Sequence, residues 1–429
     1  MKQTDTNVGG KAFAYPPGIL AGTAALAFTA FATPTAAQDV SVPYGSPKEA
    51  YIEALADMRP IEMYLQSTAA PGTGPSRSIE RFAAVIEEWS GGKIVPEIYY
   101  GAAIIQGNAA PAVKDGRLSY GMIIAQYDPS NMPVGALLVD MTFVSNPAPL
   151  IGIMHSYGAL LETAQFTPEA WDEQRVYGVE PGYLILGQPP SGIFCTEPRA
   201  TLAELRGNQV STGGIVHAQQ AEALGMASVA IQFQEVYEGL QRGIIDCAVT
   251  AINVADTTGI IPLAPHFTLA SATGFSQSNV NHAFDPQFWD ELPLAGKQLL
   301  YDLQKTYIAE SILWTWESLA RGVKLHIDSG GGVLTMDPEA EAMLQARNDA
   351  ILEETRTNQF LSDPNDFVDR VIANSDKWES ILAEMGYTDM DPGWNAFAEW
   401  YEDGKVDPYP FVERLYDETM LPFRPETES

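Results

Sequence analysis

Gly274-Phe275-Ser276-Gln277-Ser278 begins like the sharp strand-to-helix turn that exposes a nucleophilic serine. Its last position is Ser, where that turn needs Gly for close backbone approach, so acyl transfer is not indicated. Gly72 and Gly74 open a dinucleotide-type turn, but the third glycine position is Arg77, and the chain has no Gly-Lys-Ser/Thr phosphate cradle. The histidines at 155, 217, 266, 282 and 326 show no i,i+4 spacing and no His-Glu-x-x-His pattern. With only Cys195 and Cys247, a Cys-based zinc cluster cannot be assembled. Carboxylates number 55 against 24 Lys plus Arg, so a pair of them is no argument for glycoside hydrolysis. The residue types point to binding rather than catalysis, with no cofactor and no metal implied.

The surface that positions these residues is strongly acidic. A net charge of −31 repels phosphate backbones and anionic membrane faces, which makes nucleic acid a poor partner. With 429 residues, 46% of them hydrophobic, the chain can bury a large core and should form two domains or one bilobal body. Lys2 and Lys11 precede an apolar run from Gly18 to Ala32, then Thr35-Ala36-Ala37, the order of a cleaved secretory signal over residues 1–37. That run is too short for the roughly 20 residues a bilayer needs, so direct membrane insertion is not expected. In an oxidising compartment, Cys195 and Cys247 are expected either to form a disulfide between neighbouring strands or to be two buried thiols.

Local pattern supplies the elements. Residues 38–60 read as an amphipathic helical segment, Glu62–Ser67 as a strand, and Ala70–Pro75 as a loop. Ser76 is expected to cap a helix with Ile79, Phe82, Ala83, Ile86 and Trp89 on one face, stopped by Gly91-Gly92 before a strand Lys93–Tyr100. Val113–Ile123 and Leu240–Val249 repeat one plan, a helix end, a glycine stop and a small-residue strand, which suggests two similar lobes. Helices are expected over Pro149–Leu161, Pro168–Tyr177 and most of Asp285–Arg321. Strands are expected at Tyr183–Leu186 and Gly192–Cys195, with a hinge-like break at Gln188–Gly192. Thr201-x-x-Glu204 is a capping box. Residues 337–425 read as acidic helices broken at Asp363-Pro364 and Asp391–Gly393.

Three motifs occur in order: Leu202–Val210 with Leu205-Arg206-Gly207, then Ala223-Leu224-Gly225, then Glu235-Val236-Tyr237 running through Leu240 and Gly243 to Asp246. Together with Glu80–Gly101 and Gly116, they resemble the substrate-binding proteins of tripartite ATP-independent periplasmic (TRAP) transporters, of the dicarboxylate-binding-protein-like type, over roughly residues 60–325. The resemblance implies an α/β bilobal periplasmic solute-binding fold, two lobes joined by crossing strands and a long helix, here followed by a C-terminal helical extension. The expected division is a first lobe over 38–180 with part of 250–285 returning, a second over 181–250 with part of 286–336, and the extension over 337–429. It also implies a periplasmic receptor that closes on a small-molecule solute and delivers it to integral-membrane TRAP permease subunits.

In that family an Arg after the Leu-x-Gly turn commonly holds the substrate carboxylate, because its fork matches carboxylate geometry. Ser211 stands there in this chain. Ser211, Thr212 and the following Gly213-Gly214 lead into a helix whose N–H groups could accept an anion without an Arg, or simply cap that helix. Where the family often has Gly-x-Glu-Asn-Pro, this chain has Cys247–Ala251, leaving Thr250 and Asn253 as polar contacts. On the first lobe, Ser67, Thr68, Gln126 and Tyr127 end strands that would face the cleft. Of Trp314 and Trp316, two apart on a helix, at most one can wall the pocket. Glu235 and Tyr237 are expected to hold their lobe together. The expected solute is weakly acidic or zwitterionic. Other readings are a secreted hydrolase with an unrecognised carboxylate pair, or a receptor serving a sensor or an ATP-driven importer.

Overall fold

The structure is a computed structural model that describes residues 40–229, 231, 235–402 and 404–426. The expected signal over 1–37 lies outside the described residues.

Three hydrogen-bonded ladders organise the described residues, and two of them, taken together as the first sheet, are joined edge to edge. In the first, β1 (Ile61–Gln66) pairs in parallel with β2 (Ile94–Tyr99), and β3 (Tyr120–Ile123) lies in a separate ladder, β3-β10-β4, with β4 (Glu180–Leu186) and β10 (Val280–Phe284). Ser119 joins the two ladders: its N–H donates to Tyr64 O at 2.8 Å and its hydroxyl accepts from Tyr64 N at 2.9 Å. The second sheet has the order β11-β9-β5-β8-β6-β7, built from β5 (Ser191–Cys195), β6 (Gln209–Ser211), β7 (Ala227–Val229), β8 (Cys247–Ala251), β9 (His266–Leu269) and β11 (Gly332–Thr335).

The chain passes between the sheets three times: at 187–190 from β4 to β5, at 270–279 from β9 to β10, and through one helix, Leu294–Asp328, which returns to β11. This is the α/β bilobal plan with crossing strands and a long helix. The changeover falls at 187–190 instead of 180/181, because β4 pairs with β10 from Glu180 to Leu186. Of residues 250–285, only β10 joins the first sheet.

Apolar spacing explains the elements. The helix Arg77–Trp89 buries Ile79, Phe82, Ala83 and Ile86 against Met63, Leu65, Leu299 and Leu300. Gly91 and Gly92 adopt φ of 62° and 75°, the left-handed stop that a side chain would strain. Gly116 (φ 75°) and Gly243 (φ 67°) end the two echoed helices ahead of β3 and β8 in the same way. Thr201 and Glu204 form the capping box, with Glu204 accepting from Thr201 N at 3.0 Å.

Ser76 does not cap. The chain is already helical there, in a 3-10 turn Gly74–Ser76, so the hydroxyl instead donates to Ala70 O at 2.8 Å. The helix Pro133–Asp140 escaped pattern reading because it is short and apolar on every side, with no periodicity to see. Glu235 is exposed and Tyr237 is 40% exposed, while Val236 and Leu240 are buried; the helix turns its flanking positions outward, so the lobe is held by the apolar pair.

The acidic extension is helical, with breaks at the expected Asp-Pro sites: Pro338–Thr355, Pro364–Glu384, Trp394–Trp400 and Tyr409–Leu415. It is packed throughout, not appended. Trp378 is fully buried, fills the space left by the missing side chain of Gly158, and donates from Nε1 to Glu162 at 2.7 Å.

Candidate functional site

Strand direction gathers polar residues at one edge of the second sheet. β6 runs parallel to β7 and β8, so all three point to the same edge: Ser211 pairs with Val229 at the end of β7 and with Ala248, three residues before the end of β8. β5 is antiparallel to β8 and starts at that edge, with Ser191 opposite Ala251 and Gly192 opposite Thr250. Ser211 and Thr250 therefore share an edge, and Asn253 follows one turn later, buried in the helix Ile252–Thr258 with its Oδ1 unpartnered. Behind the same edge, Cys195 and Cys247 are directly opposed on β5 and β8 and form a disulfide.

Past Ser211 the chain enters the helix Ile215–Ala223. Its N-cap, Gly214, is extended and supplies no side-chain cap, so the first-turn N–H groups face outward without a hydroxyl partner. Thr212 does not fill that role, since its hydroxyl bonds to Ser228 Oγ at 2.8 Å. Ser211 is buried, and Ile215, the first helical residue, is 72% exposed.

His217, one turn inside, was passed over in the sequence because its partner is 59 residues away. Its Nε2 meets the carbonyl of Ser276, which requires an N–H there, and burial pushes its pKa down. The ring is thus neutral with Nδ1 as acceptor, and Nδ1 has no partner. Gly213 covers it: a Cβ on Gly213 would stand 3.2 Å from Nδ1 and 3.7 Å from Ser278 Oγ.

The crossing segment 273–279 is mostly buried, with Ser278 exposed, and forms a polar spine. Ser276 Oγ donates to Asp140 O at 2.7 Å, Ser276 N to Gln220 at 3.1 Å, and Gln277 N to Thr142 at 2.6 Å. Asn279 donates to Leu186 O at 2.7 Å. Asn348, from the extension, accepts from Gln220 at 2.8 Å and donates to Gly274 O at 2.9 Å. The serine of the elbow-like motif thus spends its hydroxyl on a backbone carbonyl, and His217 touches its carbonyl and not its Oγ. The Asp140 carboxyl, at the end of the helix Pro133–Asp140, is pushed up to about 7 by burial.

The first-lobe candidates sit at the ends of β1 and β3. Ser67 is buried in a turn network, 2.8 Å from Ser76 Oγ and accepting from Ala69 N at 3.1 Å, while Thr68 is exposed. Gln126 is half-buried and Tyr127 is 59% exposed on the turn after β3. Trp314 lies against Gly74, whose missing Cβ makes its space, and its Nε1 is unpartnered; Trp316 is core, donating to Leu150 O at 2.9 Å. Beside Trp314, Glu317 receives both Arg77 guanidinium nitrogens. Among the described residues, no hydrogen bond joins Ser67, Thr68, Gln126 or Tyr127 to Ser211, Thr212, Thr250 or Asn253. Two cavities, of about 390 and 160 Å³, lie elsewhere, one beside Tyr44 and Asp302 and the other beside Glu169 and Arg370.

Comparison with known proteins bears on sequence similarity and fold. Residues 194–358 match the family described as bacterial extracellular solute-binding protein, family 7 (DctP). A marine metagenome TRAP solute-binding protein specific for aromatic acid ligands is 18% identical, with a TM-score of 0.61 over 74% of this chain and 99% of its own. A TRAP periplasmic solute-binding protein from Bordetella bronchiseptica, with bound (R)- and (S)-mandelate, is 17% identical, with a TM-score of 0.61 over 74% and 99%. The sugar acid binding protein of Advenella mimigardefordensis, in complex with galactonate, is 14% identical, with a TM-score of 0.60 over 75% and 100%. Residues 194–358, from within β5 to just past the first helix of the extension, are thus similar to bacterial extracellular solute-binding proteins of family 7, and the chain shares the bilobal fold of the TRAP solute-binding proteins.

Proposed function

We propose that the protein is an extracytoplasmic solute receptor, periplasmic after loss of its signal, that captures a small polar organic solute by lobe closure and delivers it to a TRAP permease. The observation that carries this reading is the edge of the second sheet, where Ser211 and Thr250 meet an uncapped helix N-terminus. Preorganised N–H groups and hydroxyls there suit a single carboxylate, and closure that excludes water strengthens such contacts. The exposed Ile215 and Tyr127 are apolar surface for closure to cover. Proteins of the same fold bind aromatic acids, mandelate and galactonate.

Ser211 in place of an anchoring Arg favours a weakly acidic or zwitterionic solute over a dicarboxylate. The solute contacts in this reading are Ser67, Thr68, Gln126 and Tyr127 from the first lobe and Ser211, Thr212, Thr250 and Asn253 from the second. Binding without turnover fits the bonding of Ser276, whose hydroxyl donates to the Asp140 carbonyl. A thermal-shift panel of aromatic and hydroxy monocarboxylates, zwitterions and C4-dicarboxylates tests the preference, because a ligand at about 100 times its Kd adds about 2.7 kcal/mol of stability. The largest shift is expected from a monocarboxylate or zwitterion, and a largest shift from a C4-dicarboxylate refutes it. Uptake reconstituted with a small and a large integral-membrane subunit tests the delivery step.

A further inference from the structure

At the start of the helix Ile215–Ala223 two observations meet. The first backbone bond of that helix runs from Ala218 N to Gly214 O at 3.1 Å, so the N–H groups of Ile215, Val216 and His217 precede it with no backbone acceptor among the described residues. The second observation is His217 Nδ1, which belongs to a residue only 2% exposed and has no partner among the described residues. Its chemistry is fixed from the other side of the ring. Nε2 meets the Ser276 carbonyl and must carry the hydrogen, and burial keeps the ring neutral. Nδ1 can therefore only accept.

Helical side chains lean toward the N-terminal end of their helix, which carries this acceptor to the same end as the free N–H groups. The position of Gly213, just ahead of the helix, shows it there: a Cβ built on it would stand 3.2 Å from Nδ1 and 3.7 Å from the hydroxyl of Ser278. Gly213 is exposed and does not have the left-handed φ for which a chain needs glycine, so its backbone would accept a side chain. Glycine instead keeps the cover over Nδ1 to hydrogen atoms alone. Ser278 flanks the same point from the crossing segment, is exposed, and is not bonded to the ring.

We propose that His217 is a specificity-determining residue of the solute site, its Nδ1 accepting from a hydroxyl or ammonium group on the carbon next to the carboxylate that the helix N–H groups hold. The solute class is then the 2-hydroxy and 2-amino carboxylic acids. This assignment rests on the receptor reading, in which an acid enters at the edge shared by Ser211 and Thr250. Covalent structure sets the spacing: the backbone N–H and Nδ1 of His217 are a few bonds apart, so a solute that meets both carries its donor beside its carboxyl group. A plain carboxylic acid fills the N–H groups and leaves Nδ1 buried and unpaired. Sites built to bond a substrate hydroxyl reject the analogue that lacks it for this reason.

Calorimetric titration of the full mature chain with two matched sets tests this: phenylacetate, mandelate and phenylglycine, and propionate, lactate and alanine. In at least one set the hydroxy or amino acid should bind about tenfold tighter than the plain acid, or better. Gly213→Ala sets a methyl over Nδ1 and leaves His217 in place, while His217→Gln keeps an amide N–H for the Ser276 carbonyl and removes the acceptor. Each should bring the members of that set to within about threefold of one another. The nitrogen-15 resonance of Nδ1 should also move upfield with the preferred acid and not with the plain one, which a purely structural role would not produce. Equal affinities within both sets, or a preference that survives in both variants, overturns the role of His217 and leaves the receptor reading standing. Binding of none of these acids refutes the carboxylate-holding edge itself, and this assignment with it.

Discussion

Burial sets the charge state of the histidines that this protein encloses. His155, His217, His282 and His326 are all pushed down, His282 to about 3 and His326 to about 4. For His282 the native ring stays neutral until about pH 3, whereas an unfolded one takes up a proton below about 6.5. Its contribution is therefore complete above about pH 6.5 and is lost as pH falls from there toward 3, by up to about 1.4 kcal/mol per pH unit. Urea unfolding of the wild type and His282→Asn at pH 7, 6, 5 and 4 should show the wild type losing stability more steeply; parallel losses would exclude His282 as the group. Asp140 and Glu173, pushed up to about 7 by burial, act with the opposite sign. Their native carboxyls hold a proton that the unfolded chain has released above about pH 4, so stability falls as pH rises from about 4 to 7. Asp140→Asn should flatten that part of the profile in the same measurement. None of these shifts was legible in the sequence, because each depends on what lies over the side chain in space.

Elements were legible where a pattern repeats within a few residues, and hidden where the partner is remote. The glycine stops, the capping box, the strand pair around the cysteines and the long helix all follow from local spacing. His217 does not, nor does the polar spine 273–279, whose partners come from five other segments, around Asp140, Ser156, Leu186, Gln220 and Asn348. The disulfide staples β5 to β8 across 52 residues of chain. Chain-entropy reasoning gives such a loop about 4 kcal/mol, and removing a native bridge typically costs about 2–5. Cys195→Ser/Cys247→Ser should lower urea stability within that range without abolishing the fold, and an unchanged midpoint would mean the bond does not constrain the unfolded chain. Gly74→Ala would push a methyl into the Trp314 indole. Overpacking of that kind costs about 1–3 kcal/mol, and a shift of indole fluorescence should accompany the loss. A stable variant with unchanged fluorescence would show that the loop does not rest on Trp314.

At the scale of the described residues, the extension ties the segment around Val42 to that around Arg424. Arg424 donates to both Asp302 oxygens at 2.9 Å, to Tyr51 at 3.0 Å and to the carbonyl of Val42 at 2.8 Å, and Asp302 is only 8% exposed. Arg424→Ala leaves that carboxylate buried without its cation, which destabilises by about 3–5 kcal/mol. Asp302→Asn added to it should recover part of the loss, and no recovery would argue that packing, not charge, is what Arg424 supplies. Composition and local order alone determined that the chain is acidic, folded, α/β and poor in catalytic patterns, and the three spaced motifs pointed to a bilobal receptor. These properties are legible because each is written in residue type or in spacings of two to four residues, the periods of strands and helices. Only the tertiary structure decided that Ser211 and Thr250 share an edge, that Ser276 is occupied, that His217 is neutral and covered, and that the helices Pro338–Thr355, Pro364–Glu384, Trp394–Trp400 and Tyr409–Leu415 bury one face in the core. Each of those depends on contacts between segments tens to hundreds of residues apart, and burial and hydrogen bonding across such distances leave no periodic trace in the chain.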